Sequence, residues 1–267
     1  MALTTATIMA ALEEVAPVAW AEDWDAVGLQ VGRPDQPVNA LLVALELTPA
    51  VLARARAERA ELILVHHPLL FDPLTAVRTD QPAGRLLAEL LRCDYGLLVA
   101  HTNLDAAPRV SPGAVLAAVL GLRGVRPLLP LPGETVAAGE TGGGRVGDLP
   151  APQSLAELAA TVRDLLAAPD VRWAGDGMVQ RVAVLPGSGK SGAEAARAAG
   201  AQVLITGEIG YHPAAEARAA GLALITAGHA ESESPCLAAL AAELQRRLAD
   251  QVRVVVAPAP LSPWSGA

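Results

Sequence analysis

The five histidines of this 267-residue chain fall in four short segments, each placed after a strand-like stretch or the turn that follows one. His66-His67-Pro68 follows an apolar run at 62–65, and His101 through Asp105 follows another at 97–100. Glu208 and His212 come after 202–206, and His229 through Glu233 after 222–226. In open α/β proteins, ligands gather beyond the carboxyl ends of the strands. Imidazole nitrogens and carboxylate oxygens collected there are the donors of a divalent-metal site, and their number suits more than one ion.

The spacing within each segment narrows the roles. His66 and His67 point in opposite directions if the backbone stays extended, so they serve two ions, or one binds while the other packs. Asp105 is a short, stiff carboxylate four residues after His101. His229 and Glu233 share one helical face if a helix begins near 231, a turn that Pro235 constrains. Three imidazoles and two carboxylates cannot saturate two ions at four to six ligands each. A bridging carboxylate would leave positions for water or substrate, as two-metal hydrolytic sites require. Mixed nitrogen and oxygen donors favour zinc, manganese, iron, cobalt or nickel over magnesium or calcium. Taken singly, a strand-end histidine is more often a hydrogen-bonded structural residue. His212 reads equally well as the cap of a helix starting at Pro213, and Glu231 as a solvated charge.

The elements that must position these residues follow one plan twice. In the first part, strand 40–45 leads through a helix opened by Thr48-Pro49 to strand 62–65. A helix at 82–92 then leads to strand 97–100. In the second, strand 181–185, helix 192–199, strand 202–206, a helix from Pro213 to about 220 and strand 222–226 repeat that order. Short continuous apolar strands alternating with helices predict parallel sheets covered on both faces. The expectation is an α/β protein of two similar lobes with mainly parallel sheets flanked by helices, and a metal site between the lobes at the strand C-terminal ends. The first lobe is expected at 1–126 and the second at 153–267, whose C-terminal segment packs on the first. A Pro/Gly-rich connection at 127–152, flexible or a surface hairpin, joins them. Ser154 and Glu157 form a capping-box pattern at the head of a helix to 167. A helix at 5–15, a last helix at 236–249, a strand at 252–256 and a proline-spaced tail with Trp264 complete the chain.

Composition bounds the rest. Apolar residues are 52% of the chain and aromatics only 3%, so the core is built from Leu, Val, Ile and Ala. A formal charge of −8 argues against a nucleic-acid partner, although a small phosphorylated ligand remains compatible. Cys93 and Cys236 lack a paired motif and read as reduced, largely buried thiols. No apolar run reaches the roughly 20 residues that span a bilayer, and a cytoplasmic location with no membrane partner is expected. Gly187-Ser188-Gly189-Lys190-Ser191 imitates a phosphate-binding loop, but that motif needs a glycine where Val184 stands. A tight glycine turn, with at most a weak anion site, is the better reading.

The stretch from Leu12 to Pro17 and that from Glu22 through Trp24-Asp25-Ala26-Val27-Gly28 to Gly32 resemble the opening of the Ngg-interacting-factor-three-like family. Its members are often labelled GTP cyclohydrolase I type 2 homologues. The similarity continues through His66-His67-Pro68, His101-Thr102-Asn103-Leu104-Asp105, Thr206-Gly207-Glu208 to His212, and Gly228-His229, in order over nearly the whole chain. The resemblance implies a two-lobed subunit with two divalent metal ions, assembled as a toroidal homohexamer. It implies His66, His67, Asp105, His229 and Glu233 as metal ligands, with His101 and His212 lining the cavity as proton-transfer or supporting groups. The chain departs from the family where Ala230 replaces a frequent aromatic residue and Glu208 a frequent aspartate. A metal-dependent hydrolase acting on a small nucleotide-like or phosphorylated substrate is the expected function. A metal-binding or metallochaperone protein without catalysis, or a metal-stabilised scaffold, would use the same ligands.

Overall fold

The computed structural model describes residues 3–131, 140–189, 192–249 and 251–259. Part of the 127–152 connection, Lys190-Ser191 and the tail with Trp264 lie outside the described residues. The chain forms two compact units, one of residues 3–104 with 237–259 and the other Asp105–Cys236.

The first unit holds a five-stranded sheet in the order Arg253–Val256, Ala40–Ala44, Leu62–Val65, Gly96–Val99 and Gly28–Val31. The first four run parallel and the last is antiparallel. Leu42, Ile63 and Leu97 pack on one face with Leu52 and Ala55 of the helix Pro49–Glu58 and Leu87 and Leu90 of Pro82–Arg92. Leu41, Leu64 and Leu98 alternate onto the opposite face and are equally buried. Burial on both faces is what the unbroken Leu/Ile/Val runs predict. The Thr48 hydroxyl accepts the Val51 N–H and Pro49 opens the helix, as the sequence suggests.

The second unit is built on a six-stranded sheet in the order Arg172–Ala174, Ala223–Thr226, Val203–Glu208, Met178–Ser188, Arg145–Ser154 and Arg123–Arg126. Its three repeated-plan strands pair in parallel, but the three flanking pairings are antiparallel. The expectation of mainly parallel sheets therefore holds for the first unit and fails for this one, which is mixed. Part of the connection at 127–152 is also strand. Pro150 and Pro152 sit where the ladder between Arg145–Ser154 and Met178–Ser188 shifts register, between Asp148 and Gln153. Proline costs no ladder bond at such a break, so it does not end the strand. Because Arg123–Arg126 pairs with that strand, the helix Pro112–Val119 and its successors belong to the second unit, and the boundary expected at 126 falls instead after Leu104. The Ser154–Glu157 capping box closes the helix Leu155–Leu166. Cys236 is buried as expected, whereas Cys93 is exposed. Among the described residues no helix is long and apolar enough to cross a membrane.

Candidate metal centre

In the first unit, strand register brings the histidines together. Val65 stands opposite Val99 on parallel neighbours, so the residues just beyond both strands leave the same edge of the sheet. There the Nδ1 of buried His66 lies 2.9 Å from the Ala100 carbonyl oxygen. A carbonyl only accepts, so Nδ1 carries the proton, which in a neutral ring leaves the lone pair on Nε2, the arrangement of a metal-binding imidazole. The His66 ring lies 5.2 Å from His67 and 5.1 Å from His101, centroid to centroid. Each of the three offers one nitrogen, and these nitrogens all lie within 4.8 Å of one another.

Asp25 was not singled out from the sequence, yet it holds this edge in place. Its Oδ1 is 2.9 Å from His101 Nδ1 and accepts the Ala26 N–H, while Oδ2 accepts the Thr102 N–H and hydroxyl. Asn103 accepts the His101 N–H through Oδ1 and donates through Nδ2 to the Ala16 carbonyl. Burial raises the Asp25 pKa, but hydrogen bonds from His101 and Thr102 outweigh it and bring the value down to about 2. A folded value below the ordinary 3.8 stabilises the protein above pH ~4, and that stabilisation is lost as pH falls towards 2. The contribution is about 2 kcal/mol. Denaturant midpoints of metal-free protein should fall across that window, and Asp25→Asn should flatten the fall. An equally steep acid response in the variant would refute this role.

The second unit repeats the device. Thr206 stands opposite Thr226, so Glu208 and His229 emerge from adjacent strand ends, and Glu208 Oε1 lies 3.1 Å from His229 Nδ1. Gly228, at φ 89°, turns the chain into the short helix His229–Glu233. The i, i+4 spacing then sets Glu233 Oε2 3.3 Å from His229 Nε2. Pro235 does not block this turn, because it opens a separate helix, Pro235–Arg247. The hydrogen bond that His229 donates to Glu233 raises the histidine's pKa to about 9 against the opposing effect of burial, and Glu208 adds to the rise. Asp105 ends the short helix Thr102–Asp105 and belongs to the same neighbourhood. The buried Cys236 thiol is pushed well up, first by burial and then by the charges of Asp105 and Glu233.

Two carboxylates and an imidazole gathered around largely buried Glu233 suit a divalent cation, which would replace the His229 proton as their counter-charge. The backbone leaves room for them. A Cβ on Gly187 would stand 2.0 Å from Glu233 Oε1, and one on Gly207 would stand 2.7 Å from Ser232 Oγ. The strand Met178–Ser188 runs on through Gly187, with a register shift between Leu185 and Ser188, so the glycine turn expected after 185 is a bulge.

His212 follows the strand Val203–Glu208 in the chain. It is exposed in the first turn of the helix Tyr211–Ala219, edge-on to Tyr211 at 5.3 Å, and Gly210 holds the cap position expected of it. Glu231 is partly buried and folds over Gly228, where a Cβ would meet its Oε2 at 2.1 Å. Beside Asp25, the sequence reading missed Glu208 as a partner of His229 and Gly187 as the floor beneath Glu233. The signal for Glu208 was its place directly after a strand.

The fold and these residues define an α/β protein whose parallel strands end in imidazoles and carboxylates. The Duf34/NIF3 (NGG1p interacting factor 3) profile matches residues 3–263, and the chain belongs to that family. A Streptomyces coelicolor protein named GTP cyclohydrolase 1 type 2 homolog is 39% identical over 267 aligned positions, covering 97% of this chain and 92% of the relative. A solved Bacillus cereus protein related to NIF3 shares the fold with a TM-score of 0.92 at 24% identity, covering 100% of both chains. A Staphylococcus aureus hypothetical protein matches with a TM-score of 0.88 at 25% identity, again over 100% of both.

Proposed function

We propose that the chain is a dinuclear metal-dependent hydrolase acting on a small nucleotide-like or phosphorylated molecule. The ligands would be His66, His67, Asp105, His229 and Glu233, and the assembly a homohexamer, as the family resemblance implies. The observation that carries this reading is the pairing of Glu233 with His229 over a floor that only glycine allows at position 187. Bound divalent ions supply Lewis acidity, lowering the pKa of water and polarising the bond under attack. The protein's part is to hold its donors in fixed tautomers. The Ala100 carbonyl does so for His66, and the Asp25 carboxylate orients His101. So oriented, His101 presents Nε2 as a proton acceptor close to the His66–His67 pair. The printed name of the Streptomyces coelicolor relative points to GTP as the first nucleotide to try.

Elemental analysis of protein purified without chelator or nickel resin tests the centre. About two equivalents of metal per chain are expected, lost in the Asp105→Ala, His229→Ala double variant while the fold persists. Turnover of nucleotides or phosphoesters by the metal-loaded protein, abolished by His229→Ala alone, would establish the hydrolase. A native chain that neither carries metal nor takes it up on titration would overturn the proposal.

A further inference from the structure

Beside the histidine edge of the first unit stands an aromatic wall that the metal chemistry does not use. The chain has one Phe, two Tyr and four Trp, so aromatic rings are scarce. Two of them, Trp24 and Phe71, lie 5.8 Å apart, and Trp24 stands edge-on to His101 at 6.2 Å. Both are half-exposed, Trp24 at 59% and Phe71 at 50%. Leaving their exposed halves in water costs about 1 kcal/mol apiece against burying them.

The wall is exposed yet held. Gln30 grips the backbone before Phe71 from both sides. Its Nε2 donates to the Leu70 carbonyl at 2.9 Å, and its Oε1 accepts the Leu70 N–H at 3.0 Å. The same Nε2 reaches the Ala26 carbonyl at 2.9 Å, tying the Phe71 loop to the turn that follows Trp24. Asp25, next to Trp24, is fixed by His101 and Thr102. Rings fixed before a ligand arrives lose little freedom when one stacks on them. The segments that build the wall, residues 17–32 and 66–77, contain no lysine or arginine and carry exposed Glu22, Asp23 and Asp72, and the arginines that directly follow them, Arg33 and Arg78, are paired with Asp94 and Asp80. A phosphate would be repelled there, whereas a neutral or cationic ring would be attracted.

We propose that Trp24 and Phe71 form a stacking subsite for a planar heteroaromatic ring, neutral or positively charged, placed next to His101. This inference rests on the hydrolase reading and names its substrate class: the ring stacks on the wall, and any anionic group is directed away from it. The two failures are separable, because ring binding is measured without turnover and metal content is measured independently.

Isothermal titration calorimetry of the full chain as purified tests it, with adenosine, cationic 1-methyladenosine and ribose as probes. Both nucleosides should bind, 1-methyladenosine more tightly, and ribose should not. Trp24→Ala should weaken nucleoside binding roughly tenfold or more, while Trp24→Phe retains most of it. Metal content and gel-filtration volume should be unchanged in both. If Trp24→Ala fails to fold, Phe71→Ala gives the same reading. Undetectable nucleoside binding, equal binding of ribose, or unaltered affinity in the alanine variants would overturn the subsite. So would a change of oligomeric state with nucleoside affinity unaltered, which would make the wall a self-association surface. Nucleoside binding in a chain without metal would count against the hydrolase reading alone.

Discussion

Gly187→Ala is expected to cost the protein about 2–3 kcal/mol of stability and to empty the Glu233 side of the metal centre. Gly187 adopts φ +69°, a left-handed conformation that strains alanine by about 1 kcal/mol. The larger effect is steric. The new Cβ would lie 2.0 Å from Glu233 Oε1, 3.0 Å from its Cδ and 3.3 Å from His229 Nε2. Glu233 is itself buried, so moving its carboxylate aside would break the 3.3 Å contact with His229 Nε2. Denaturant midpoints and metal per chain measure the two parts. In a Glu233→Ala background the same substitution should cost only the backbone strain, so the double variant should be far from additive. Additive losses, or wild-type metal content in Gly187→Ala, would show that the glycine is not the floor of the site.

The parallel strands were legible because strands buried on both faces leave an unbroken apolar run, and such runs at 62–65, 203–206 and 223–226 have no other economical reading. The antiparallel flanks were not. Arg145–Ser154 alternates weakly and carries two prolines, so its strand character comes from pairing with Met178–Ser188, a contact that local composition does not encode. Gly28–Val31 was hidden for a similar reason. It is a four-residue edge strand with three half-buried positions and a register shift against Gly96–Val99.

The site divides along the same line. His66 and His101 in the first unit, and His229 in the second, could each be read as site residues because chain direction alone places them beyond strand ends; register then brings His66 beside His101 and, separately, Glu208 beside His229. The i, i+4 relation of His229 and Glu233 is local and survives into the structure. The residues that were missed act across the chain. Asp25 reaches His101 over 76 positions, and Glu208 reaches His229 over 21. A carboxylate that orients an imidazole carries no spacing rule, since any loop that arrives at the right edge can supply it.

Arg145 is the strongest case of such a hidden residue, and Arg145→Met should be the most destabilising single change outside the apolar core. In the sequence it is one of many arginines in a chain with a single lysine, placed at the end of Gly142-Gly143-Gly144, in a stretch that reads as a flexible connection or a surface hairpin. In the structure Gly142–Gly143 is a strand, and the guanidinium beside it is buried. It donates to the carbonyls of Gly142, Gly144 and Ala107 at 2.6 Å each. Burial pushes its pKa down to about 10 and the charge of Glu140 opposes the fall, so it stays charged at neutral pH. The Gly142 N–H also donates to the Ala106 carbonyl, so two successive residues after Asp105 are fastened to the glycine strand. Methionine fills similar volume but strands three carbonyls. A loss of about 3–5 kcal/mol is expected, along with weaker metal retention as the Asp105 turn loosens. Arg145→Lys should recover only part of this, because one ammonium cannot span carbonyls that a planar fork reaches together. Urea midpoints and metal per chain for both variants decide it. A methionine variant within 1 kcal/mol of wild type would mean that the carbonyls find other donors, and that the turn carrying Asp105 is fixed by the Gly142–Ala106 backbone bond instead.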